Sequence, residues 1–522
     1  RFFAVRLDAR RPCRALRARW RGTPVEALLD AGTVLRDGHP DDLPDRAAPI
    51  RLARVARHLR TAGVEVDLVL LDGPDHGYTA IAPEAWTALS AEARARRLAA
   101  ARWPLPEDDN ARLRTLTGAA RTTATRLDLE FDNAVARERL LALIEGAEHR
   151  IALQTYIFED DAIGRRVAAA LIAAADRGVE VFVLVDSLYS LHGALGRQNP
   201  TLATLEAHRG VSLRAIRPFT LPDLGSLKQR DHRKLLIIDD RIGRITGRNL
   251  GAPYFTDFAE VPLTREHSYR DVPWLDIGAE VEGPIVHAMN LAFRESWLDA
   301  GGTRFRLPDP GPPGDLAVRL VLHESMRDAQ TLDAYRALIE AATSHVIIVN
   351  TFPLQFELQS ALIDALARGV TVRFLVGHVR PLFGEARQPF RGGALRALAT
   401  EVIHGRLDAL VAAGAEAWAY ARRDLPGWAA DLGTVLPHVH AKLMSVDGRR
   451  FTIGSANLDI TAGYWESEAL LLVEDEARTQ ALETTLGALF SEQAVRIDTD
   501  PRWRETSARR TFVSRNWPSV LG

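Results

Sequence analysis

The sequence predicts an α/β protein of two homologous lobes, each a mixed sheet sandwiched by helices, packed together as a pseudo-dimer within one chain. Two internal repeats carry this prediction. The segments 170–186 and 361–377 align without gaps and are identical at ten of seventeen positions. The shorter pattern H-x-K-x-x-x-x-D occurs once in each half, at 232–239 and at 440–447. Repeats of this kind indicate a duplicated structural unit.

The longer repeat predicts a helix followed by a buried strand. Each copy ends its helix at Arg-Gly, and Gly178 and Gly369 occupy the place where a helix C-terminus favours a left-handed residue. The residues that follow are mostly apolar, which is typical of a strand buried on both faces. Another such strand precedes each helix, at 151–158 and at 346–352. Each half therefore predicts strand, helix, strand, with a right-handed crossover and parallel pairing.

The ends of the two halves also match, and they set the predicted boundaries. A strand and then a helix close each half, at 275–297 and at 469–490, and a Pro/Gly-rich segment joins the halves. The predicted regions are an N-terminal region without a readable motif at 1–125, the first lobe at 126–306, a linker with the approach to the second lobe at 307–335, the second lobe at 336–500, and a C-terminal tail at 501–522.

Composition indicates a globular protein and makes a nucleic-acid partner unlikely. Of 522 residues, 47% are hydrophobic and 26% are charged, and the formal net charge is −2, whereas nucleic-acid binders are usually more basic. The single cysteine, Cys13, excludes an intrachain disulfide. No apolar run approaches the ~18–20 residues that span a bilayer, and no signal peptide is visible. We therefore expect a cytoplasmic or peripheral membrane protein. The Arg-rich residues 1–21 indicate either a contact with an anionic membrane or a solvated tail, and we favour the tail.

The shorter repeat places reactive side chains on each lobe. The motif residues are His232, Lys234 and Asp239 in the first copy and His440, Lys442 and Asp447 in the second, and an Asn follows each Asp after ten residues, Asn249 and Asn457. Residues i and i+2 of a strand point to the same face, so each His and its Lys project together. Two such lobes facing each other would bring both sets into one site.

These residue types suit chemistry on a phosphodiester. Lysines and amides donate hydrogen bonds to an anionic phosphoryl group. One imidazole can attack phosphorus while the other protonates the leaving oxygen. We expect no metal and no other cofactor, because the lysines supply the positive charge that a metal would supply.

The two motifs resemble the HKD motif of the phospholipase D superfamily. The resemblance covers roughly residues 126–492. Flanking segments narrow it to bacterial cardiolipin synthases and their soluble phospholipase D-like relatives. The segments that carry this similarity are TYIFEDDAIGR at 155–165, GRNLGAPYF at 247–255, WLDIGAEVEGP at 274–284 and GSANLD at 454–459.

The resemblance implies a covalent phosphohistidine on one histidine, while the other acts as general acid and then activates water or an alcohol. We assign His232 as the nucleophile and His440 as the acid. The residues expected to bind phosphoryl oxygens are Lys234, Lys442, Asn249, Asn457 and Ser455.

The resemblance also implies roles for the acidic residues. Asp239 and Asp447 complete the catalytic motifs, and in the family this Asp is usually structural. A separate downstream acid orients each histidine through its second ring nitrogen. The matching positions are Asp276 and Glu468, with Glu466 as the rival for the latter.

The predicted function is therefore that of a phospholipase D-type phosphodiesterase or phosphatidyltransferase, cardiolipin synthase-like, acting on glycerophospholipids. We expect a phospholipid substrate, peripheral membrane contact, and a monomer whose two lobes form one site. Two alternatives stay open. One is a nuclease of the same superfamily, and the other is a non-catalytic protein that binds phosphate or lipid.

Overall fold

The structure is a computed structural model of the chain. It describes residues 2–7, 66–71, 108–188, 199–217, 229–267, 269–325, 328–351, 353–377, 393–423, 425–430 and 432–516. The chain divides into two compact units, Arg1–Leu116 with Met326–Ala329, and Thr117–Ser325 with Gln330–Gly522. Both predicted lobes lie in the second unit.

The first unit contains an antiparallel pair of strands, β1 (Phe2–Leu7) and β2 (Val66–Leu71). Helix α1 spans Asp109–Thr117. Cys13 and most of the Arg-rich segment lie outside the described residues. The role of residues 1–125 therefore stays undetermined.

The first lobe is built on a mixed sheet of seven described strands, in the order β4–β10–β9–β8–β5–β6–β7. A short strand, β3 (Thr122–Ala124), precedes them and joins the sheet of the second lobe. The seven strands are β4 (Arg126–Glu130), β5 (Arg150–Thr155), β6 (Glu180–Asp186), β7 (Val211–Ile216), β8 (Leu235–Ile238), β9 (Ile242–Thr246) and β10 (Gly278–Glu282). Strands β5, β6 and β7 are parallel, and the other pairs are antiparallel.

Helices connect these strands. They are α2 (Asn133–Glu145), α3 (Ala162–Asp176), α4 (Pro200–Ala207), α5 (Ala252–Phe255) and α6 (Pro284–Asp299). Two 3-10 turns, Phe258–Glu260 and Tyr269–Asp271, lie in the long connection between β9 and β10. The side chains of Asp132 and Asp161 accept backbone N–H groups at the starts of α2 and α3, which explains where these helices begin.

The second lobe has nine described strands in the order β18–β14–β13–β12–β15–β16–β17–β11–β3. They include β11 (Leu316–Glu324), β12 (His345–Val349), β13 (Thr371–Val376), β14 (Glu416–Tyr420), β15 (Leu443–Val446), β16 (Arg450–Gly454), β17 (Ser467–Val473) and β18 (Ala494–Arg496). The described helices are α7 (Gln330–Ala341), α8 (Phe356–Ala367), α9 (Gly393–Ala412), α10 (Ile460–Tyr464), α11 (Glu476–Glu492) and α12 (Pro501–Asn516).

The two sheets repeat one topology. Without the added strands β3 and β18, the second sheet matches the first strand for strand, with β12, β13 and β14 as its parallel set. Gly178 and Gly369 follow equivalent helices with positive φ angles of 92° and 89°, as their position in the repeat predicts. The prediction of an α/β fold with two homologous lobes is confirmed.

The structure places some strands differently from the predicted boundaries. Strand β3 lies before residue 126, and its partner β11 lies inside the predicted linker 307–335. Residues 318–324 of β11 pair with β17, so this nine-residue strand belongs to the second sheet. The sequence does not predict which sheet these two strands join, because that depends on strands that are distant in the chain. The C-terminal region 501–522 likewise contains a helix, α12.

One continuous hydrophobic core joins the two sheets. It contains fully buried residues from both, including Ile245 and Ala279 of the first lobe and Ile453 and Leu471 of the second. The lobes therefore pack as an intrachain pseudo-dimer. Among the described residues, none of the helices is both long enough and apolar enough to cross a bilayer.

Candidate active site

Each H-x-K segment lies just before a short buried strand rather than inside it. His232 and Lys234 precede β8, and His440 and Lys442 precede β15. The backbone of each segment is bonded to the opposite lobe. The N–H of His232 donates to the carbonyl of Ser467 at 2.9 Å, and the N–H of His440 donates to the carbonyl of Leu275 at 2.7 Å. The two motifs are thereby held at the junction of the lobes.

The orienting acids are exchanged between the lobes. Nδ1 of His440 in the second lobe lies 2.7 Å from Oδ2 of Asp276 in the first. Nδ1 of His232 in the first lobe lies 2.8 Å from Oε1 of Glu468 in the second. All four side chains are buried. Each histidine is therefore paired with an acid from the other lobe.

The contacts at Nδ1 of His232 define which nitrogen of that ring carries the proton. Nδ1 of His232 also lies 3.1 Å from the carbonyl oxygen of Ser455, and two acceptors at one nitrogen require it to carry the proton. The chemistry is then left to Nε2. The pKa of each histidine is well below its usual value, chiefly because of burial, with the charge of Lys234 next for His232 and that of Lys442 next for His440. Both rings are thus neutral bases at rest.

The two lysines are buried beside the histidines. Nζ of Lys234 donates to the carbonyl of His232 at 2.6 Å, and Nζ of Lys442 donates to the carbonyl of His440 and lies 3.0 Å from its Nδ1. Burial lowers the pKa of Lys234 to about 7 and that of Lys442 to about 8. Two buried ammonium groups have lost most of their hydration, so they favour the binding of an anion, which replaces the stabilisation that water would give.

The predicted phosphate-binding residues differ in their contacts. Nδ2 of Asn249 donates to the hydroxyl of Tyr254 at 2.8 Å, and its Oδ1 accepts from the N–H of Ile157 at 3.3 Å. Asn457 is buried, and its Oδ1 has no hydrogen-bond partner among the described residues. The hydroxyl of Ser455 donates to Oε2 of Glu468, so Ser455 supports the acid behind His232. A role for these three at phosphate stays a prediction.

The aspartates of the two motifs lie away from the histidines. Asp239 accepts the backbone N–H groups of residues 148–150 at 2.7–3.0 Å. Asp447 accepts those of residues 343–345 at 2.8–2.9 Å. Both adopt left-handed backbone conformations, with φ of 53° and 56°. Each Asp therefore fixes the turn after the catalytic strand to the start of the neighbouring strand, as the family resemblance implies for this position.

Aromatic rings hold the histidines from the side. Tyr156 packs edge-on to His232 with ring centroids 4.7 Å apart, and Lys234 lies 5.1 Å from the centre of the Tyr156 ring. Tyr254 packs edge-on to His440 at 5.0 Å. Both tyrosines come from the first lobe. Sequence reasoning did not single out Tyr156, because it placed this residue inside the predicted strand 151–158, whereas the strand ends at Thr155 and Tyr156 follows its carboxyl end.

Among the described residues, one group has the spacing to hold a metal ion, namely His232, Glu466 and Glu468. A metal would have to replace the 2.8 Å hydrogen bond between His232 and Glu468. It would also lie among the charges of Lys234 and Lys442, which already influence Glu468. These contacts favour a proton over a metal ion at this place.

The geometry supports attack on an anionic ester without further groups. Each imidazole contacts a carboxylate through Nδ1, so Nε2 of one ring can act as a nucleophile and Nε2 of the other as an acid-base group. The two ammonium groups can neutralise phosphoryl oxygens. Each carboxylate can stabilise positive charge on its ring. The junction of the lobes thus brings together two imidazoles, two ammonium groups and two carboxylates.

Comparison with known proteins agrees with this geometry. A family described as "Cardiolipin synthase, PLD-like domain" matches residues 140–267 and 335–490, which is more than half of the chain. Cardiolipin synthase B of Salmonella typhi is 26% identical over 396 residues, covering 73% of this chain and 85% of that protein. Cardiolipin synthase A of Pseudomonas aeruginosa (strain LESB58) is 28% identical over 374 residues, covering 70% and 67%.

A solved structure shares the fold. The phosphatidylserine synthase of Haemophilus influenzae Rd KW20 superposes with a TM-score of 0.59 at 15% sequence identity, covering 78% of this chain and 96% of that one. The matched family segments contain both H-x-K motifs. The chain therefore belongs to the PLD-like domain family of cardiolipin synthase, and the prediction of a phospholipase D-like enzyme is confirmed.

Proposed function

We propose that the protein transfers phosphatidyl groups between glycerophospholipids and an acceptor through a covalent phosphohistidine. The observation that carries the proposal is the pair of buried histidines, each bonded to a carboxylate of the opposite lobe and flanked by a buried lysine. The relatives named cardiolipin synthase support the choice of phospholipid as substrate.

In the first half-reaction, the phosphodiester anion binds between Lys234 and Lys442. Nε2 of His232 attacks phosphorus, and the bond from phosphorus to the leaving oxygen breaks. That oxygen takes a proton from Nε2 of His440, which enters this step protonated. Binding of the anion offsets the two ammonium charges that otherwise hold the pKa of His440 down, and Asp276 stabilises the imidazolium.

In the second half-reaction, His440 is neutral and acts as a base. It removes a proton from the acceptor hydroxyl, whose oxygen attacks phosphorus and breaks the bond to Nε2 of His232. His440 is again protonated, and His232 is again neutral. Two displacements at phosphorus give net retention of configuration. Water as acceptor gives phosphatidic acid, and an alcohol gives a new phosphatidyl ester.

The lipid substrate requires the site to open toward a membrane surface, so we propose a peripheral membrane enzyme. The formal net charge of −2 gives no broad electrostatic attraction to anionic lipids. Contact would therefore depend on a local surface rather than on overall charge.

Lipid mass spectrometry tests the proposal. Purified protein would be incubated with liposomes of phosphatidylglycerol, phosphatidylethanolamine and phosphatidylcholine, with glycerol and EDTA. The variants His232→Ala and His440→Ala would run in parallel, with His208→Ala as a control because His208 lies outside both motifs and contacts Asp176 and the N–H of Gly210.

We expect phosphatidic acid or a new phosphatidyl ester from the wild type and the control, and neither from the two motif variants. The ratio of the two products separates hydrolysis from transfer. If no lipid gives a product while a phosphodiester of DNA is cleaved, the lipid assignment is wrong and the nuclease alternative replaces it. Binding of liposomes without turnover of any phosphodiester would instead support the non-catalytic alternative.

A further inference from the structure

Two carboxylates, not one, approach the ring of His232. Oε1 of Glu468 lies 2.8 Å from Nδ1, and Oε2 of Glu466 lies 3.8 Å from the same nitrogen. The three groups offer atoms that all lie within 4.8 Å of one another. His440 differs, because Asp276 is the carboxylate within 4.0 Å of its ring among the described residues.

Two carboxylates this close and this buried do not both ionise easily. The side chain of Glu468 is 0% exposed and that of Glu466 is 11% exposed. Burial raises the pKa of Glu468 well above its usual value, and the charge of Glu466 raises it further. Like charges within one buried site commonly retain a single proton between them.

The other charged and titratable groups around the pair come from several elements. Lys234 and Lys442 lower the pKa of Glu468, as does the hydrogen bond from Ser455. The hydroxyl of Tyr335 on α7 is close enough for Glu468 to raise its pKa. The two lysines are themselves only weakly held as cations, so they do not remove the conflict between the carboxylates.

We propose that Glu466 and Glu468 share one proton and act as a single unit on Nδ1 of His232, with Glu466 as a positioning residue. This inference rests on the proposed function, because it gives the pair a task in phosphoryl transfer. Glu466 does not need to touch the substrate. It acts on the ring of His232 together with Glu468.

The task follows from the charge that develops on His232. When Nε2 bonds to phosphorus, the leaving group departs with its electron pair and the ring of His232 becomes cationic. The shared proton then shifts from Glu468 to Glu466, so Glu468 faces the cationic ring as a full carboxylate. When the phosphohistidine breaks down, the ring is neutral again and the proton shifts back. No proton enters or leaves the pair, and no further reactant is needed.

Infrared spectroscopy tests the shared proton without any substrate. In metal-free protein at neutral pH, we expect the C=O stretch of a protonated, buried carboxyl group that is lost in Glu468→Gln. This loss separates the band from that of other buried acids such as Asp186, whose pKa burial raises to about 7. Removing a like charge lowers the pKa of the remaining acid, so in Glu466→Gln this band should be absent at neutral pH and return only at lower pH. Glu324→Gln is the matched control, since Glu324 lies on β11 beside Ser467 but pairs with Arg217.

The band should persist in Glu324→Gln. Its absence from the metal-free wild type at neutral pH, or its persistence in both Glu466→Gln and Glu468→Gln, would overturn the inference. A wild type without turnover of any lipid would sink the proposed function, yet the infrared result would still decide whether a proton is shared.

A double-mutant cycle on kcat tests the coupling. We expect Glu466→Gln to lower kcat a few-fold with KM unchanged, and Glu468→Gln to lower it about 10²-fold, because Glu466 takes over part of the role of Glu468. The double variant should fall at least about tenfold below the product of the two single effects. Additive effects, with unchanged thermal stability, would show that the two acids act separately.

Discussion

The two lobes contribute the same motif to one site, but the group beside the acid behind each histidine is a cation in one case and a carboxylate in the other. Behind His440, Asp276 lies against a buried cation, since Nη2 of Arg248 donates to the backbone carbonyl of Asp276 at 2.7 Å. Behind His232, Glu468 lies beside a second carboxylate, Glu466. Arg248 occupies the position directly before the motif Asn, where the second lobe has Ala456.

The two lobes therefore share their backbone topology and their reactive groups. They differ in the residues that lie beside the acids behind the two histidines. Burial raises the pKa of both acids, but the charges of Lys442 and Arg248 oppose the rise at Asp276, whereas the charge of Glu466 adds to it at Glu468. Identical histidines can therefore take different roles within one reaction. The predictions that follow break or sharpen this comparison, beginning with the largest effect.

Removal of either histidine should have the largest effect. We expect His232→Ala and His440→Ala each to lower kcat by about 10⁴-fold, as for other catalytic residues that act as a unit. The variants should differ in what accumulates, because His440→Ala retains the nucleophile. Mass spectrometry of peptides, after the reaction with lipid is quenched, should find a phosphatidyl group on His232 in that variant. A phosphatidyl group on His440 in His232→Ala would reverse the assignment of nucleophile and acid.

The exchanged acids should give the next largest effect. We expect Asp276→Asn to lower kcat about 10³-fold, more than the roughly 10²-fold of Glu468→Gln, since Glu466 can partly replace Glu468. Nitrogen NMR of labelled histidine provides the sharper readout. Asp276→Asn should change the Nδ1 signal of His440 and leave that of His232 unchanged. A change confined to His232 would contradict the exchange between lobes.

Loss of Arg248 should mainly affect stability. Its side chain is fully buried, its Nε donates to the carbonyl of Tyr254 at 3.2 Å, and its Nη1 lies 3.6 Å from Glu130. Arg248→Met leaves these partners uncompensated, so we expect a loss of about 3 kcal/mol in the free energy of unfolding. Arg126→Met is the control, because Arg126 forms exposed pairs and should change stability by less than about 1 kcal/mol. Equal losses in denaturant titrations would show that burial of Arg248 is unimportant.

The buried lysines should limit activity at high pH. The pKa of Lys234 is about 7 and that of Lys442 is about 8, both lowered by burial, so their charge is present at low pH and lost as pH rises. We expect kcat/KM to fall about tenfold between about pH 7 and about pH 9, mainly through KM, because the anion binds less tightly. A profile of kcat/KM that stays flat to the upper pH would show that both lysines remain charged.

The motif aspartates should give the smallest effect on activity, and an equal one in the two lobes. We expect Asp239→Asn and Asp447→Asn each to lower stability by about 1–2 kcal/mol with kcat nearly unchanged, since both bind backbone turns. Hydrogen bonds from backbone N–H groups lower the pKa of both carboxylates, against the opposing effect of partial burial. This stability is therefore present above the unfolded pKa and is lost as pH falls through the lowered folded value. A large loss of kcat in either variant, at unchanged stability, would place that Asp in the chemistry.

Much of this molecule follows from sequence because it depends on local chemistry. The glycines at 178 and 369 require a left-handed backbone whatever surrounds them, and a buried apolar strand carries its own pattern. The spacing of His232, Lys234 and Asn249 is repeated in the second half, which identified the reactive groups before any contact was known. The sequence did not assign β11 to the second lobe, because its place in that sheet depends on pairing with β17 and β3.

The sequence by itself determined the duplicated α/β unit and the identity of the histidines and lysines that meet at the junction of the lobes. Only the tertiary structure decided which acid orients which histidine, and it crossed them, Asp276 to His440 and Glu468 to His232. It also decided that Glu466 joins Glu468 and that Arg248 lies against Asp276. The physical reason is that a residue type fixes which interactions are available, whereas the packing of two sheets fixes which partners are within reach.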